Sequence, residues 1–289
     1  MYKLHYIDRL RPEGNSSALL FGSAIDDALN AVLLKTGDGV ETFRNAFTWE
    51  LAKDCVWLKN DLDEDLFTLD EKQELQGKDL NYVTWACMRK KGRIMIQGYI
   101  EKVLPLVEEV HGVQLETKRR PGFIDAVLTL RGYGRVLIDH KTTSRFYKRD
   151  AVGESTQLAL YASQLEISKV GFITLNKNIS KSKVCRKCGN DGTGTRFKSC
   201  NSLSRGSRCG GPWDVKPNEL GSVQILVDTV KKEEMKLINE SINDTETAIK
   251  AGHFPKNLAS CNQMFGRQCP YFNYCRKGNK AGLVKKEES

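Results

Sequence analysis

Residues 121–144 read PGFIDAVLTLRGYGRVLIDHKTTS. Two β-rich runs flank Arg131-Gly132-Tyr133-Gly134, which has the turn chemistry of a hairpin. A turn centred on Gly132 puts Asp125 and Asp139 opposite one another on one face, because both stand at equal distance from it. Strand alternation adds Lys141, two residues beyond Asp139, to the same face. Ile124, Ala126, Val136 and Ile138 then point the other way, into a core. Two carboxylates and an ammonium converge at the end of one hairpin.

Like charges brought together away from water repel, and each raises the pKa of the other unless a cation sits between them. A hard divalent ion such as Mg²⁺ or Mn²⁺, which prefers carboxylate, carbonyl and water oxygens, resolves the conflict. Lys141 would then orient an attacking water or stabilise charge on a transferring phosphoryl group. The plainer alternative is a surface hairpin carrying an ordinary Asp139–Lys141 ion pair.

Outward from the hairpin, apolar periodicity predicts helices over 24–34, 42–57 and 70–110. Strands are expected at 114–118, 122–130 and 135–141, a helix at 154–165, strands at 170–176 and 222–230, and a helix at 232–252. Helices followed by strands alternating with helices imply an α/β core with a mixed sheet. Residues 181–216, Gly/Ser-rich and nearly free of aliphatic side chains, interrupt that order as an insertion.

The 289 residues are 40% hydrophobic, enough for a packed core and against global disorder. No apolar run approaches the roughly 20 residues a membrane span needs, and MYKLHYIDRL lacks the apolar centre of a signal peptide, so a cytoplasmic protein is expected. The net charge of +9 suggests a polyanionic partner. That charge is patchy: residues 181–216 hold nine basic and two acidic side chains, residues 115–149 nine and three, and residues 50–80 only four against ten. Nine cysteines, an odd number with no export signal, point to metal ligation or free thiols rather than a disulfide framework.

Four motifs in order resemble the RecB-like branch of the PD-(D/E)xK nuclease superfamily, which includes phage-type exonucleases and cysteine-bearing CRISPR adaptation nucleases. FGSAIDDAL at 21–29 resembles the helical Gly-Ser-x-x-His motif. Glu116 and Gly122-Phe-Ile-Asp125 resemble the motif of the first catalytic aspartate, Ile138-Asp139-His140-Lys141 the (D/E)xK motif, and Gln157-Leu-Ala-Leu-Tyr161 the Gln-x-x-x-Tyr helix.

The resemblance covers most of 1–178 and 222–275. It implies a restriction-endonuclease-like core, in two parts at 1–180 and 217–258, with a small zinc-binding insertion at 181–216 and a cysteine-cluster tail at 259–289. It also implies Asp125 and Asp139 as ligands of Mg²⁺ or Mn²⁺, the His140 carbonyl as a third, and Lys141 as the catalytic lysine. Gln157 and Tyr161, at i and i+4 on one helix face, would lie near metal and DNA, and Glu116 would bind metal through water or support a neighbour. The family's metal-binding histidine is replaced here by Asp26, beside Asp27, so either acid is a candidate and neither is certain to be more than solvated.

Cys185-x2-Cys188-x11-Cys200-x8-Cys209 places four thiols in a segment too poor in apolar residues to fold by burial alone, which Zn²⁺ can fold instead. A redox CxxC is the rival reading. Arg186, Lys187, Arg196, Lys198, Arg205 and Arg208 surround the thiols, and Phe197 and Trp213 are candidates to stack on bases, unless the charges merely solvate a structural knob.

Cys261-x7-Cys269-Pro270-x4-Cys275 resembles the tail of the family's iron–sulfur members, in which a [4Fe–4S] cluster takes a fourth cysteine from the N-terminal region. That position is missing ahead of MYKLHYIDRL, leaving Cys55 or Cys87 as substitutes; zinc or no metal are the alternatives.

The function expected is a metal-dependent DNA nuclease, an exonuclease of recombination, repair or phage DNA metabolism in a bacterial or phage-infected cell. Lys118, Arg119, Arg120, Arg145, Lys148 and Arg149 would track the phosphate backbone. Recombination or replication proteins are candidate partners, and no oligomeric state is implied. The rival is a non-catalytic, zinc-bearing DNA-binding or scaffold protein on the same fold. An RNA substrate is a third reading.

Overall fold

Phe123–Leu130 and Gly134–Thr143 fold as the hairpin that the turn chemistry between them dictates. Ala126 pairs with Ile138, Leu128 with Val136 and Leu130 with Gly134, a register centred on residue 132. Gly132 and Gly134 take φ of +81° and +75°, the left-handed backbone that residues with a Cβ avoid. The computed structural model describes residues 3–58, 61–117, 122–195, 197–204, 207–254, 269 and 271–285.

In chain order the helices are α1 (Ser17–Leu34), α2 (Gly39–Ala46), α3 (Trp49–Ala52), α4 (Leu69–Glu74), α5 (Leu80–Lys102), α6 (Thr156–Leu165), α7 (Lys232–Lys250) and α8 (Phe272–Lys277). The strands are β1 (Leu10–Pro12), β2 (Asn15–Ser16), β3 (Cys55–Val56), β4 (Val107–Glu116), β5 (Phe123–Leu130), β6 (Gly134–Thr143), β7 (Lys169–Asn176), β8 (Lys181–Cys185), β9 (Leu203–Ser204), β10 (Ser207–Arg208), β11 (Trp213–Pro217), β12 (Val223–Thr229) and β13 (Leu283–Lys285).

Two of the expected helices are shorter and broken. The 42–57 pattern divides because Phe47 ends α2 and Thr48, in extended backbone, starts α3. The 70–110 pattern contains α4, whose Thr68–Glu71 capping box closes its first turn, and then α5, capped by Asp79. Pro105 stops the helical run in a 3₁₀ turn at Leu104–Leu106. The valines beyond it, Val107, Val110 and Val113, belong to β4, not to a helix.

The chain divides into two compact units, Ser16–Lys236 and Met1–Asn15 with Leu237–Ser289. The larger holds a five-stranded mixed sheet in the order β12-β7-β6-β5-β4, antiparallel except for the β6–β7 pair. The β6–α6–β7 crossover makes that pair parallel. One face of the sheet gives Ala126, Leu128, Val136, Ile138, Ile173 and Leu175 to a core shared with Phe21, Ile25 and Leu29 of α1, Phe43 of α2 and Met88, Ile94 and Met95 of α5. Helix α6 lies against β6 and β7. Fully burying a side chain such as Ile138 is worth about 1.5–3 kcal/mol, and truncating it to alanine costs roughly 2–5 kcal/mol. The loop entering β12 sits directly on α5: Gly221 donates to the Ile94 carbonyl at 2.9 Å, and a Cβ on Gly98 would come within 2.4 Å of the Gly221 carbonyl.

By length and composition alone α1 is apolar enough to cross a membrane, which qualifies the expectation that no run approaches a span. Its apolar side is committed to the core instead, with Phe21, Ala24, Ile25, Ala28, Leu29 and Leu33 buried.

Within the smaller unit the two ends of the chain pair. β1 runs antiparallel to β13, with Arg11 opposite Val284. The Tyr271 hydroxyl donates to the Leu10 carbonyl at 2.8 Å. Leu4, Leu10 and Tyr271 are buried there, with Cys269 and Cys275 half-buried against them.

Candidate active site and cysteine centre

The β5–β6 ladder stops at Ala126–Ile138, although β5 continues beside β4 to Phe123 and β6 continues beside β7 to Thr143. The sheet therefore forks, and Asp125 and Asp139 stand at the fork. Asp125 Oδ2 accepts the His140 backbone N–H at 2.7 Å. Asp139 is 3% exposed and its Oδ2 lies 2.6 Å from the Lys141 ammonium.

Helix α1 brings Asp26 to this cluster and leaves Asp27 exposed, which settles which acid of the pair approaches the strands. Ligand atoms of Asp26, Asp125 and the His140 ring lie within 4.8 Å of one another. Burial, followed by the charges of Asp125 and Asp139, pushes the Asp26 carboxyl up to about 7. Burial likewise lifts Asp139 to about 6, against the pull of Lys141, and raises Asp125 against its bond from His140. For Lys141, burial favours the neutral amine, but the Asp139 charge and hydrogen bond and the more distant Asp125 outweigh it and raise its pKa.

Lys141 Nζ also reaches Gln157 Oε1 at 3.4 Å, and Gln157 Nε2 donates to the Tyr161 hydroxyl at 3.2 Å. The i,i+4 pair on α6 thus meets the lysine rather than standing apart. Glu116 is exposed at the end of β4, opposite Phe123. Arg145, Lys148 and Arg149 are exposed in the segment between β6 and α6. Lys118, Arg119 and Arg120 lie outside the described residues.

Sequence reading overlooked the His140 side chain, naming only its carbonyl. The ring is buried on the core side, with Nε2 at 3.3 Å from the Tyr99 hydroxyl and its Nδ1 without a hydrogen-bond partner. Burial, then the Lys141 charge, lowers its pKa to about 4, so the ring is neutral and available to a metal. Its position between Asp139 and Lys141 was the only signal available.

A model of the PD-(D/E)XK nuclease superfamily matches residues 1–276. The chain belongs to the PD-(D/E)XK nuclease superfamily. No curated protein and no solved structure shows significant similarity to it. Members of the PD-(D/E)XK superfamily are usually metal-dependent nucleases, and the forked mixed sheet flanked by helices is the restriction-endonuclease-like architecture expected of the group. The donor set at the fork fits a hard divalent cation: carboxylates whose mutual repulsion and burial favour protonation gain a counter-charge when one binds.

The insertion that interrupts this PD-(D/E)XK core is a two-stranded stalk, β8 paired with β11, bearing the four thiols at its tip. Cys185 and Cys209 sulfurs are 3.7 Å apart, and so are those of Cys188 and Cys200. A tetrahedral Zn²⁺ with bonds of about 2.3 Å sets its sulfurs roughly 3.8 Å apart, whereas a disulfide needs about 2.05 Å. All four thiols can therefore hold one zinc. Hydrogen bonds from Ser202 and the Asn190 backbone lower the Cys188 thiol to about 6, while in the same network, against the Gly211 N–H, burial and the neighbouring thiols raise Cys209 to about 11. Trp213 is half-buried, with its ring against Gly192 and Nε1 donating to the Phe197 carbonyl at 2.9 Å. Arg196 and Arg205 lie outside the described residues.

Proposed function

We propose that this chain is a Mg²⁺- or Mn²⁺-dependent deoxyribonuclease of the RecB-like branch, acting as an exonuclease in recombination, repair or phage DNA metabolism. The observation that carries the reading is the meeting of Asp26, Asp125, Asp139 and Lys141 at the fork of the sheet, with the carboxyls lifted by burial and by one another. A solvated knob or surface ion pair would not show that lift.

Asp125 and Asp139 would hold the cation, with Asp26 and either the carbonyl or the ring of His140 completing its protein ligands. A divalent ion there supplies a lowered pKa for a bound water and charge neutralisation on the scissile phosphate. Lys141, positioned between Asp139 and Gln157, would donate to a non-bridging phosphate oxygen and stabilise the charge that grows on it. Gln157 holds that ammonium in place, and Tyr161 holds Gln157. Arg145, Lys148 and Arg149 would follow the backbone of the strand, so that binding falls steeply with salt.

Zinc at Cys185, Cys188, Cys200 and Cys209 would be structural. A [4Fe–4S] cluster on Cys261, Cys269 and Cys275 is supported by the half-buried setting of Cys269 and Cys275 where the chain ends pair; Cys261 lies outside the described residues. The fit is partial, because the unit that holds these three cysteines, Met1–Asn15 with Leu237–Ser289, contains no fourth one.

The test is cleavage of end-labelled linear DNA, circular DNA and RNA in Mg²⁺ by wild type, Asp139→Asn and Lys141→Ala. Shortening of linear DNA by wild type alone supports the reading. Equal activity in all three proteins, or cleavage of none of the substrates, overturns it.

A further inference from the structure

The zinc-bearing insertion carries a surface that a merely structural knob does not need. Phe197 is 57% exposed and Leu203 is 76% exposed, both in a module of nine basic and two acidic residues. The Phe197 backbone is fixed, because Trp213 holds its carbonyl. Leu203 is fixed by pairing with Arg208 between two metal-ligand positions, Cys200 and Cys209. An exposed aromatic ring among basic side chains is the combination by which single-stranded nucleic acid is bound.

The stalk leaves the sheet at its catalytic end. Lys141 lies opposite Thr174 and Thr143 opposite Asn176, and the chain enters β8 at Lys181 soon after. Lys177 N–H donates to the Thr143 carbonyl at 2.7 Å, and Asn178 Nδ2 to the Ser144 carbonyl at 2.7 Å, so the root is tied to the strand of Asp139. Lys181 is paired with Asp63 and Asp65, which fixes the base of the stalk. Five residues of strand carry the tip roughly 17 Å outward.

We propose that this module grips single-stranded DNA, with Phe197 and Leu203 against unstacked bases and Lys198 and Arg208 on the phosphates, a few nucleotides from the scissile bond. The inference rests on the nuclease reading and adds to it the form of substrate. Duplex DNA hides its base faces inside the stack, whereas a single strand offers one to every aromatic platform. The tip stands roughly 17 Å beyond the root of the stalk, a few nucleotides along an unstacked strand, so a long strand can engage both the fork and the tip.

The experiment uses zinc-loaded full-length protein and fluorescence anisotropy with labelled dT4, dT20 and a 20-base-pair duplex, without added Mg²⁺ so that the strand stays intact. Phe197→Ala and Leu203→Ala are each expected to weaken dT20 binding roughly ten-fold, with zinc content and duplex binding unchanged, dT4 bound by wild type more weakly than dT20, and Phe197→Trp restoring wild-type affinity. Equal dT20 affinity in wild type and both alanine variants overturns the proposal, as does an equal loss on duplex. Cleavage by wild type that Asp139→Asn abolishes, with dT20 binding indifferent to Phe197 and Leu203, sinks this inference and leaves the nuclease reading standing. A Phe197-dependent grip in a protein that cuts nothing does the reverse.

Discussion

The Asp125 carboxylate accepts the backbone N–H of His140 at 2.7 Å, across the point where β5 and β6 part. A side chain thus takes the place of the next rung of the ladder. It satisfies a buried donor that the fork would otherwise orphan, and it fixes one oxygen of Asp125 while leaving the other for a cation. Asp125→Asn keeps an acceptor oxygen for that bond and removes the charge. It is expected to fold at least as stably as wild type and to lose cleavage in Mg²⁺. Asp125→Ala loses the bond and costs about 1–3 kcal/mol. Urea unfolding of both variants separates the two effects; equal destabilisation of Asn and Ala would show that the bond is unimportant.

Asp26 is the most strongly lifted carboxyl of the cluster, at about 7. Above that pH its charge is held in place against burial and against Asp125 and Asp139. Each pKa unit corresponds to about 1.4 kcal/mol, so Asp26→Asn is expected to stabilise the Mg²⁺-free protein at pH 8 by about 2 kcal/mol while weakening Mg²⁺ binding. Calorimetric titration of Mg²⁺ together with urea unfolding checks both. A variant that is less stable and binds Mg²⁺ as tightly as wild type would place Asp26 outside the site.

The hairpin register, the shared face of Asp125, Asp139 and Lys141, and the Gln157–Tyr161 pair were legible because local rules govern them: turn chemistry, strand alternation and the helical i,i+4 spacing. The fork was not legible, since it depends on which neighbour each strand follows beyond Ala126 and Ile138. Nor was the choice of Asp26 over Asp27, which depends on how α1 is rotated by Phe21, Ile25 and Leu29 in the core. The contacts of Trp213 were not legible for a similar reason: the setting of a large aromatic in a core-poor segment is fixed by its tertiary neighbours, here Gly192 and the Phe197 carbonyl. Pro105 was a visible breaker, and a continuous apolar pattern across it concealed the change from helix to strand.

Lys141 is held by two contacts of different kind, the Asp139 charge at 2.6 Å and the Gln157 amide oxygen at 3.4 Å. Removing the second leaves the ammonium charged but free to rotate. Gln157→Ala is therefore expected to lower kcat about ten-fold or more with little change in KM, since positioning of a stabilising charge acts in the transition state. Tyr161→Phe, one contact further out, should cost less. A rise in KM at constant kcat would instead assign Gln157 to strand binding.

With Cys185 and Cys200 buried, Cys188 exposed and few aliphatic side chains to bury, the four-thiol tip would depend on a bound zinc for its fold. Cys188→Ser, or zinc removal by a chelator, should abolish amide protection around 183–213 in hydrogen exchange and leave protection of β5, β6 and β7 in place. Loss of protection throughout the sheet would show that the module is part of the core's stability rather than an appendage.

Stability in the absence of Mg²⁺ should fall as pH rises from about 4 to 7. Asp139, at about 6, and Asp26, at about 7, keep protons in the folded state that the unfolded chain has already released. Their contribution is fully present below the unfolded value of about 3.9 and is lost as pH rises through the folded ones. His140, lowered to about 4, opposes this between about 4 and 6.5, where the unfolded chain takes up a proton that the buried ring refuses. The unfolded histidine is still half protonated at its ordinary value of 6.5 and opposes the fall for about one further pH unit, so the share of Asp26 is read from the difference between wild type and Asp26→Asn. Mg²⁺ competes with the same protons, and the stabilisation it confers should therefore grow across the same window. Thermal unfolding at pH 5.5, 6.5 and 7.5, with and without Mg²⁺ and with zinc left in place, measures both trends. Asp26→Asn should flatten the Mg²⁺-free slope between 6.5 and 7.5. An unchanged slope in that variant would mean that Asp26 does not carry the titration.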